Sequence, residues 1–263
     1  MSGFYIGVDG KARKVKGGYI GVDGVARKIK KGYIGVDGVA RLCWNAFEVD
    51  PVFANNSWEK IAMACQLNAV PDSWAIGDQK TMTIDSNNYT IDIIGKNHDD
   101  YADGSGKAPL TLQLHDCYRT TYKLDDASNN RNGWSNSTMR LTNLPSILAK
   151  MPSEVQTEIR EVNKRTSSGN NSSQIGVTAD KLFLLSEIEI FGSIKSSYTG
   201  EGTQYAYYQS GNSKIKQKSG TNHIWWERSP AKDKYNYCSV AIDGTYNTNS
   251  PDYPYGVSFA FCF

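Results

Sequence analysis

The residues best able to do chemistry are few and dispersed in this chain of 263 residues. Five cysteines (Cys43, Cys65, Cys117, Cys238, Cys262) show no Cys-x-x-Cys spacing, so neither a zinc site nor a redox pair is indicated. Their odd number predicts buried free thiols. The three histidines, His98, His115 and His223, stand in no motif with a nucleophile. Asn97-His98-Asp99-Asp100, with Asp103 nearby, is the one run resembling a metal site. It lacks the Asp-x-Asp-x-Asp-Gly spacing of a calcium loop, and calcium requires roughly six to eight oxygens, so His98 is read as a loop anchor. No catalytic residue, cofactor or metal is assigned.

A recognition chemistry is better represented. Between Trp225 and Phe263, framework residues (Trp225, Trp226, Arg228, Pro230, Cys238, Val240, Ile242, Gly256, Val257, Phe259, Phe261) read as buried strand positions. Among them sit Tyr235, Tyr237, Asp243, Tyr246, Asn247, Asn249, Asp252, Tyr253 and Tyr255. Tyrosine gives rigid amphipathic contact area and asparagine gives adaptable hydrogen bonding, which is what a binding surface uses. These nine residues form the candidate ligand-binding set, expected to project from one face.

The elements that must position them follow from the rest of the chain. A hydrophobic share of 39% with 21% charged residues suits a soluble globular protein with a substantial core. Tyr5–Gly10, Tyr19–Gly24 and Tyr33–Gly38 repeat every 14 residues, each followed by a basic segment. Each Asp-Gly pair separates two short strand-like runs and suits a type I′ turn, so each repeat reads as a β-hairpin. A lone hairpin is marginal in water; the three are expected to pair as a meander, stack, or lean on neighbouring subunits. Residues 1–42 hold nine Lys or Arg against three Asp, a +6 block that leaves −4 for the remainder. Without interleaved exposed aromatics this reads as solvated faces or protected strand edges, not a nucleic-acid site.

Composition shifts after Pro51, giving a repeat module over residues 1–49 and a second domain over 50–263. Asn56 with Glu59 signals a helix carrying Trp58, Ile61 and Cys65 on one face. The runs 80–85 and 89–94 alternate as a hairpin, and 110–114 is a further strand. Met139, Leu141, Leu144, Ile147, Leu148 and Met151 predict helix interrupted at Pro145, and Val155, Ile159 and Val162 predict a helix starting at Pro152. Residues 167–174 form a polar loop, and 181–185 is a buried strand or its approach. Val257, Phe259, Phe261 and Phe263 are assigned to the core side of a closing strand. The N-terminus has no charged and apolar leader, and no run reaches the ~18 apolar residues of a membrane span. The expectation is a chain made in the cytoplasm without a cleaved signal and not inserted in a membrane.

Ile94–Asp100, Lys181–Gly192, Glu201–Tyr208, the Trp-Trp-x-Arg-Ser-Pro run Trp225–Pro230 and the terminal run Gly256–Phe263 resemble a family of phage, prophage and gut-bacterial proteins. That family is similar to the variable proteins of diversity-generating retroelements, which have a C-type lectin fold. The resemblance covers residues 58 to 263, and the repeats look like a module that precedes such domains. It implies an α+β, C-type lectin-like domain with few short helices and a mixed or antiparallel sheet, carried on the hairpin module. It also implies a C-terminal segment rewritten by adenine mutagenesis; the Tyr, Asn, Asp and Ser excess between Lys232 and Tyr255 is what that history would leave, and equally what a loop-rich lectin-like face contains. The Glu-Pro-Asn, Gln-Pro-Asp and Trp-Asn-Asp ligands of calcium-dependent sugar binding are missing from the C-terminal region.

The function expected is non-enzymatic binding of a protein or other cell-surface ligand of a bacterial host, by a component of a phage virion tail or surface or of the bacterial exterior. The repeats are expected to serve virion attachment or homo-oligomer formation. Two alternatives stay open: an enzyme on a scaffold like that of formylglycine-generating enzymes, for which Cys238 and Cys262 invite comparison, and a structural virion decoration protein.

Overall fold

The computed structural model describes residues 5–8, 10–14, 18–29, 31–36, 38–45 and 47–263. The chain divides into two compact units, Met1–Asp50 and Pro51–Phe263.

In the first unit, β1 (Tyr5–Val8) pairs with β2 (Lys11–Lys14), β3 (Gly18–Val22) with β4 (Val25–Ile29), and β5 (Lys31–Val36) with β6 (Val39–Asn45), each antiparallel. In the middle hairpin Asp23 and Gly24 both have positive φ, 52° and 72°, as a type I′ turn demands. Asp9 and Asp37, and the junction residues Lys16, Gly17 and Lys30, lie outside the described residues. Each hairpin is its own two-stranded sheet. The expected meander therefore does not form among the described residues.

The second unit is a mixed α+β fold of short helices and several small antiparallel sheets, none closed into a barrel. It opens with α1 (Trp58–Gln66), which starts one residue later than the Asn56 signature suggested, because Ser57 is the cap and accepts the Lys60 N–H. Next come β7 (Gln79–Ile84), β8 (Asn87–Gly95) and β9 (Thr111–Leu114), with Asp85 and Ser86 forming the tight β7–β8 turn at φ 49° and 61°. A π-helical turn (Met139–Asn143) runs into α2 (Leu144–Leu148), where Pro145 occupies a first-turn position that needs no N–H. Leu141 is exposed.

The helix expected through Val162 is shorter than its apolar spacing suggested. α3 covers only Ser153–Gln156, and Val162 begins β10 (Val162–Ser167), the partner of β11 (Ile175–Asp180). Val155, Ile159 and Val162 are all buried, but in different local structures, so burial produced the i, i+4, i+7 pattern without a helix. The remaining elements are β12 (Leu182–Phe183), α4 (Glu187–Phe191), α5 (Ala206–Gln209), β13 (Lys216–Lys218), β14 (Thr221–His223), β15 (Trp225–Pro230), β16 (Tyr237–Val240), β17 (Tyr246–Asn249) and β18 (Ala260–Cys262).

The main sheet has the order β12-β18-β9-β8-β7. β18 is an internal strand, and Val257 to Phe263 are all buried, not only the odd-numbered positions. Burying each large apolar side chain here contributes roughly 1.5–3 kcal/mol. No helix among the described residues is long and apolar enough to cross a membrane.

Polar chemistry inside this core fixes which strands meet. Arg228 is fully buried on β15. Its guanidinium donates to Thr166 Oγ1 (3.0 Å), the Leu184 and Glu201 carbonyls (2.8 Å each) and Glu189 Oε1 (2.8 Å). Glu189 also completes the capping box of α4 with Ser186 and receives Lys164 Nζ at 2.8 Å. Lys164 reaches Asp99 at 2.7 Å, and Tyr205 donates its hydroxyl to the same carboxylate. Desolvation would raise the Asp99 carboxyl, but Lys164 and Thr111 outweigh it and bring it down to about 2. The metal-like run is thereby explained: Asp99 is the anion of a buried ion pair, Asp100 pairs with Lys107, and His98 stacks on Tyr205 at 4.0 Å.

Candidate functional site

Of the expected binding residues, Tyr237, Tyr246, Asn247 and Asn249 lie on the three-stranded sheet β15-β16-β17, and the others on the segments that flank its strands. β15 is buried along its whole length. The register opposes Trp225, Val240 and Tyr246, and next to them Trp226, Ser239 and Asn247. Opposed residues point to one side of a sheet and neighbours to the other, so β17 divides the candidate set. Tyr246 faces one way. Asn247 and Asn249 face the other.

On the Asn249 side, Asn249 Nδ2 donates to Ser239 Oγ (2.8 Å) and Tyr255 Oη donates to Asn249 Oδ1 (3.1 Å). The Tyr255 ring meets Trp226 edge-on at 5.1 Å. Tyr122 exchanges backbone hydrogen bonds with Tyr255 and accepts the Trp226 indole N–H through its carbonyl. From there Tyr122, Tyr118 and Tyr89 stack in a row with centroids 6.5 and 5.3 Å apart. On the opposite side Tyr246 is exposed, with Lys195 Nζ 3.9 Å from its ring centroid.

Tyr235 and Tyr253 are the most exposed aromatics of the set, at 62% and 58%, on turns that are firmly held. Asp233 accepts the N–H groups of Tyr235 and Asn236, both at 2.7 Å. Asn130, fully buried, donates from Nδ2 to the carbonyls of Ala231, Asp233 and Asn236 and accepts the Asn170 N–H. A side chain at Gly169 would put Cβ 2.0 Å from the Asn130 carbonyl oxygen, so glycine is needed for this clamp to close. The face acids serve turns as well: Asp243 Oδ1 accepts both the N–H and the hydroxyl of Thr245, and Asp252 accepts the Ser250 hydroxyl. Those Thr245 bonds hold the Asp243 carboxyl below its usual value.

Three sequence expectations are corrected, the first being the single shared face, since β17 places Tyr246 on one side and Asn247 and Asn249 on the other. Tyr237 does not project from the face: it sits in the central strand, fully buried, and burial pushes its phenol well above the usual range. Ile242, assigned to the framework, is 56% exposed at the β16–β17 turn. Asn130 and the Tyr89–Tyr122 row were missed, because each lies a hundred residues or more from the segment it serves and carries no local motif.

Cysteine chemistry is muted. Cys65, Cys117, Cys238 and Cys262 are free and buried, and the Cys43 side chain lies outside the described residues. Desolvation pushes the Cys65 and Cys117 thiols up to about 12 and also raises those of Cys238 and Cys262 well above the usual range, which disfavours the thiolate that acts as nucleophile. Among the described residues no group of three or more His, Cys, Asp or Glu could hold a metal.

No curated protein and no solved structure matches the chain. A family model described as a domain of unknown function matches residues 110–263, the stretch from β9 to the C-terminus that holds Arg228, Glu189 and Lys164 of the buried network and the whole of the β15–β17 sheet. The match covers more than half of the chain, which therefore belongs to the DUF6273 family.

Proposed function

We propose that this protein is a non-enzymatic ligand-binding protein, a receptor-binding or adhesion component of a phage or prophage, whose C-terminal face engages a surface ligand of a bacterial host. On this reading the second unit is a C-type lectin-like domain and the repeats attach it to a virion or to further copies. The observation that carries the proposal is the exposure of Tyr235 and Tyr253 on held turns, the first clamped from beneath by the fully buried Asn130 and the second closed by the Tyr253 N–H to Ser250 carbonyl bond. Exposed aromatics held in fixed positions are poor for solubility and good for recognition.

The resemblance of Trp225–Pro230 and Gly256–Phe263 to retroelement variable proteins supports the same reading, as does the position of Tyr235, Asp243, Asp252 and Tyr253 on turns outside those two buried runs. The test is binding of labelled full-length protein to a panel of bacterial cells, alone and with Tyr235→Ser plus Tyr253→Ser. Binding that is lost in the double variant supports the proposal; binding unchanged by it overturns the face assignment. A reverse transcriptase gene beside an imperfect copy of the segment encoding the last ~40 residues would test the retroelement origin.

A further inference from the structure

Beside Tyr246 lies a cavity of about 250 Å³ whose wall includes Phe191, Ser193, Lys195, Lys214 and Thr245. Its charged lining is two ammonium groups, Lys195 and Lys214, and one carboxylate, Glu187. Lys195 Nζ stands over Tyr246, Lys214 Nζ lies 5.8 Å from the Phe191 ring centroid, and neither ammonium has a carboxylate at ion-pair distance among the described residues. A cation over a ring face keeps its N–H donors free for a ligand.

The acids nearby are already occupied. Glu187, also in the wall, accepts the N–H groups of Lys195, Ser196 and Ser197 and the Ser197 hydroxyl at 2.6–3.1 Å. Those bonds hold the backbone that carries Lys195 and occupy both oxygens of Glu187, which makes no ion pair with the Lys195 ammonium among the described residues. Asp243 is held by Thr245. A second pair, Lys232 over Tyr198 at 5.7 Å, is tied to the same loop by the Lys232 N–H to Ser196 carbonyl bond of 2.7 Å. What remains open to a ligand is positive charge, an aromatic face and hydroxyl groups.

We infer that this cavity is a subsite for an acidic saccharide, with the sugar's carboxylate or phosphate between Lys195 and Lys214 and its ring against Tyr246. The inference deepens the binding-face proposal and rests on it. The volume lies below the roughly 300–1,000 Å³ of pockets for drug-sized ligands, so it suits one sugar residue. An acidic peptide is the less favoured occupant, because it would bind by adding a strand to the β17 edge. There the Thr248 N–H is already taken by Asn247 Oδ1 at 2.9 Å.

The experiment is calorimetric titration of full-length protein with glucuronate, glucose 6-phosphate, glucose and a glutamate-rich peptide, with a thermal melt on every variant. We expect at least one acidic sugar to bind at least tenfold more tightly than glucose, with affinity that weakens as salt is raised. Lys195→Gln plus Lys214→Gln should lower that affinity at least tenfold at unchanged melting temperature. Preference for glucuronate identifies a carboxylate ligand, and preference for glucose 6-phosphate a phosphate; both support the subsite. Equal binding of glucose, tighter binding of the peptide, no binding of either acidic sugar, or an unaffected lysine double variant overturns it. Cell binding that still depends on Tyr235 and Tyr253 in that event leaves the broader proposal standing, whereas its failure shows as cell binding indifferent to those tyrosines.

Discussion

The repeat unit and the second unit reach their folds by opposite routes. The repeat unit pairs each strand with its immediate neighbour in sequence, and Tyr19, Val25 and Val39 are more than half exposed. The second unit closes on itself through distant partners: Ser258 bonds the Leu114 carbonyl across 144 residues, and the Tyr101 hydroxyl reaches Phe263 across 162. Local closure lets a module be copied along a chain. Distant closure concentrates the fold's determinants in a buried framework, and the turns above that framework become free to differ.

The comparison breaks most sharply at Arg228. Replacing it with Leu leaves Glu189 buried with Lys164 as its one cation and unpairs several carbonyls, a change expected to cost about 3–5 kcal/mol beyond any gain in apolar packing. Urea unfolding followed by tryptophan fluorescence should show this, since Trp225 and Trp226 are fully buried. A midpoint within error of wild type would mean that the charge network is incidental to the fold.

Phe261→Ala tests the apolar half of the same framework. It removes a fully buried ring packed edge-on with Phe263 at 5.5 Å, and cavity formation should cost about 3–4 kcal/mol. Circular dichroism of a fragment spanning residues 51–263 should show the same loss, because Leu112, Leu182, Phe259 and Phe263, against which Phe261 sits, lie in that unit. A fragment without cooperative unfolding would instead show that the two units depend on one another.

A smaller, pH-dependent effect belongs to Glu201. Desolvation raises its carboxyl from 4.5 to about 7, against hydrogen bonds from Ser229 and the Ser167 N–H that lower it. The folded state then keeps a proton that the unfolded state releases, so stability is full below about 4.5 and falls as pH rises toward 7. Glu201→Gln keeps the shape and the hydrogen-bonding capacity without the titration. The difference in melting temperature between variant and wild type should therefore grow in the variant's favour from pH 4.5 to 7 and level off above. A constant difference would refute the assignment.

How much of this was legible follows from the two routes. The repeats were readable because the Asp-Gly turn and its flanking strands recur within each period; α1 and the β7–β8 hairpin were readable for the same local reason. Tyr237 was not, because its neighbours Tyr235 and Tyr246 have the same residue type, and only the register of β16 between β15 and β17 turns it inward. Val162 misled because buried strands and buried helices can share apolar spacing over a few residues. Lys164, Glu189 and Arg228 were invisible as a network, since nothing in the order of a sequence states which lone charges will meet.

Gly24→Val probes the repeat side. Position 24 has a φ of 72° with open space around the added side chain, so the effect is backbone strain alone, about 1–2 kcal/mol. Amide exchange should rise in residues 18–29 and stay unchanged beyond residue 51. Protection lost in the second unit would show that closure there depends on the repeats.

The smallest stability effect is expected where the largest functional one is. Tyr235 and Tyr253 have no side-chain hydrogen bond among the described residues, and their turns are held by the Asp233 and Asn130 side chains and by the Tyr253 N–H to Ser250 carbonyl bond. Exchanging both for Ser removes exposed surface and should change stability by no more than about 0.5 kcal/mol each. As aromatic anchors they should each cost more than about 1 kcal/mol of binding, a loss of roughly fivefold or more per residue. Asn130→Ala makes the complementary change: the tyrosines remain, but the carbonyls of Ala231, Asp233 and Asn236 lose their shared donor, so both stability and cell binding should fall. If the tyrosine variant unfolds while Asn130→Ala does not, the face is part of the framework, and the division between fixed core and variable turns has been drawn in the wrong place.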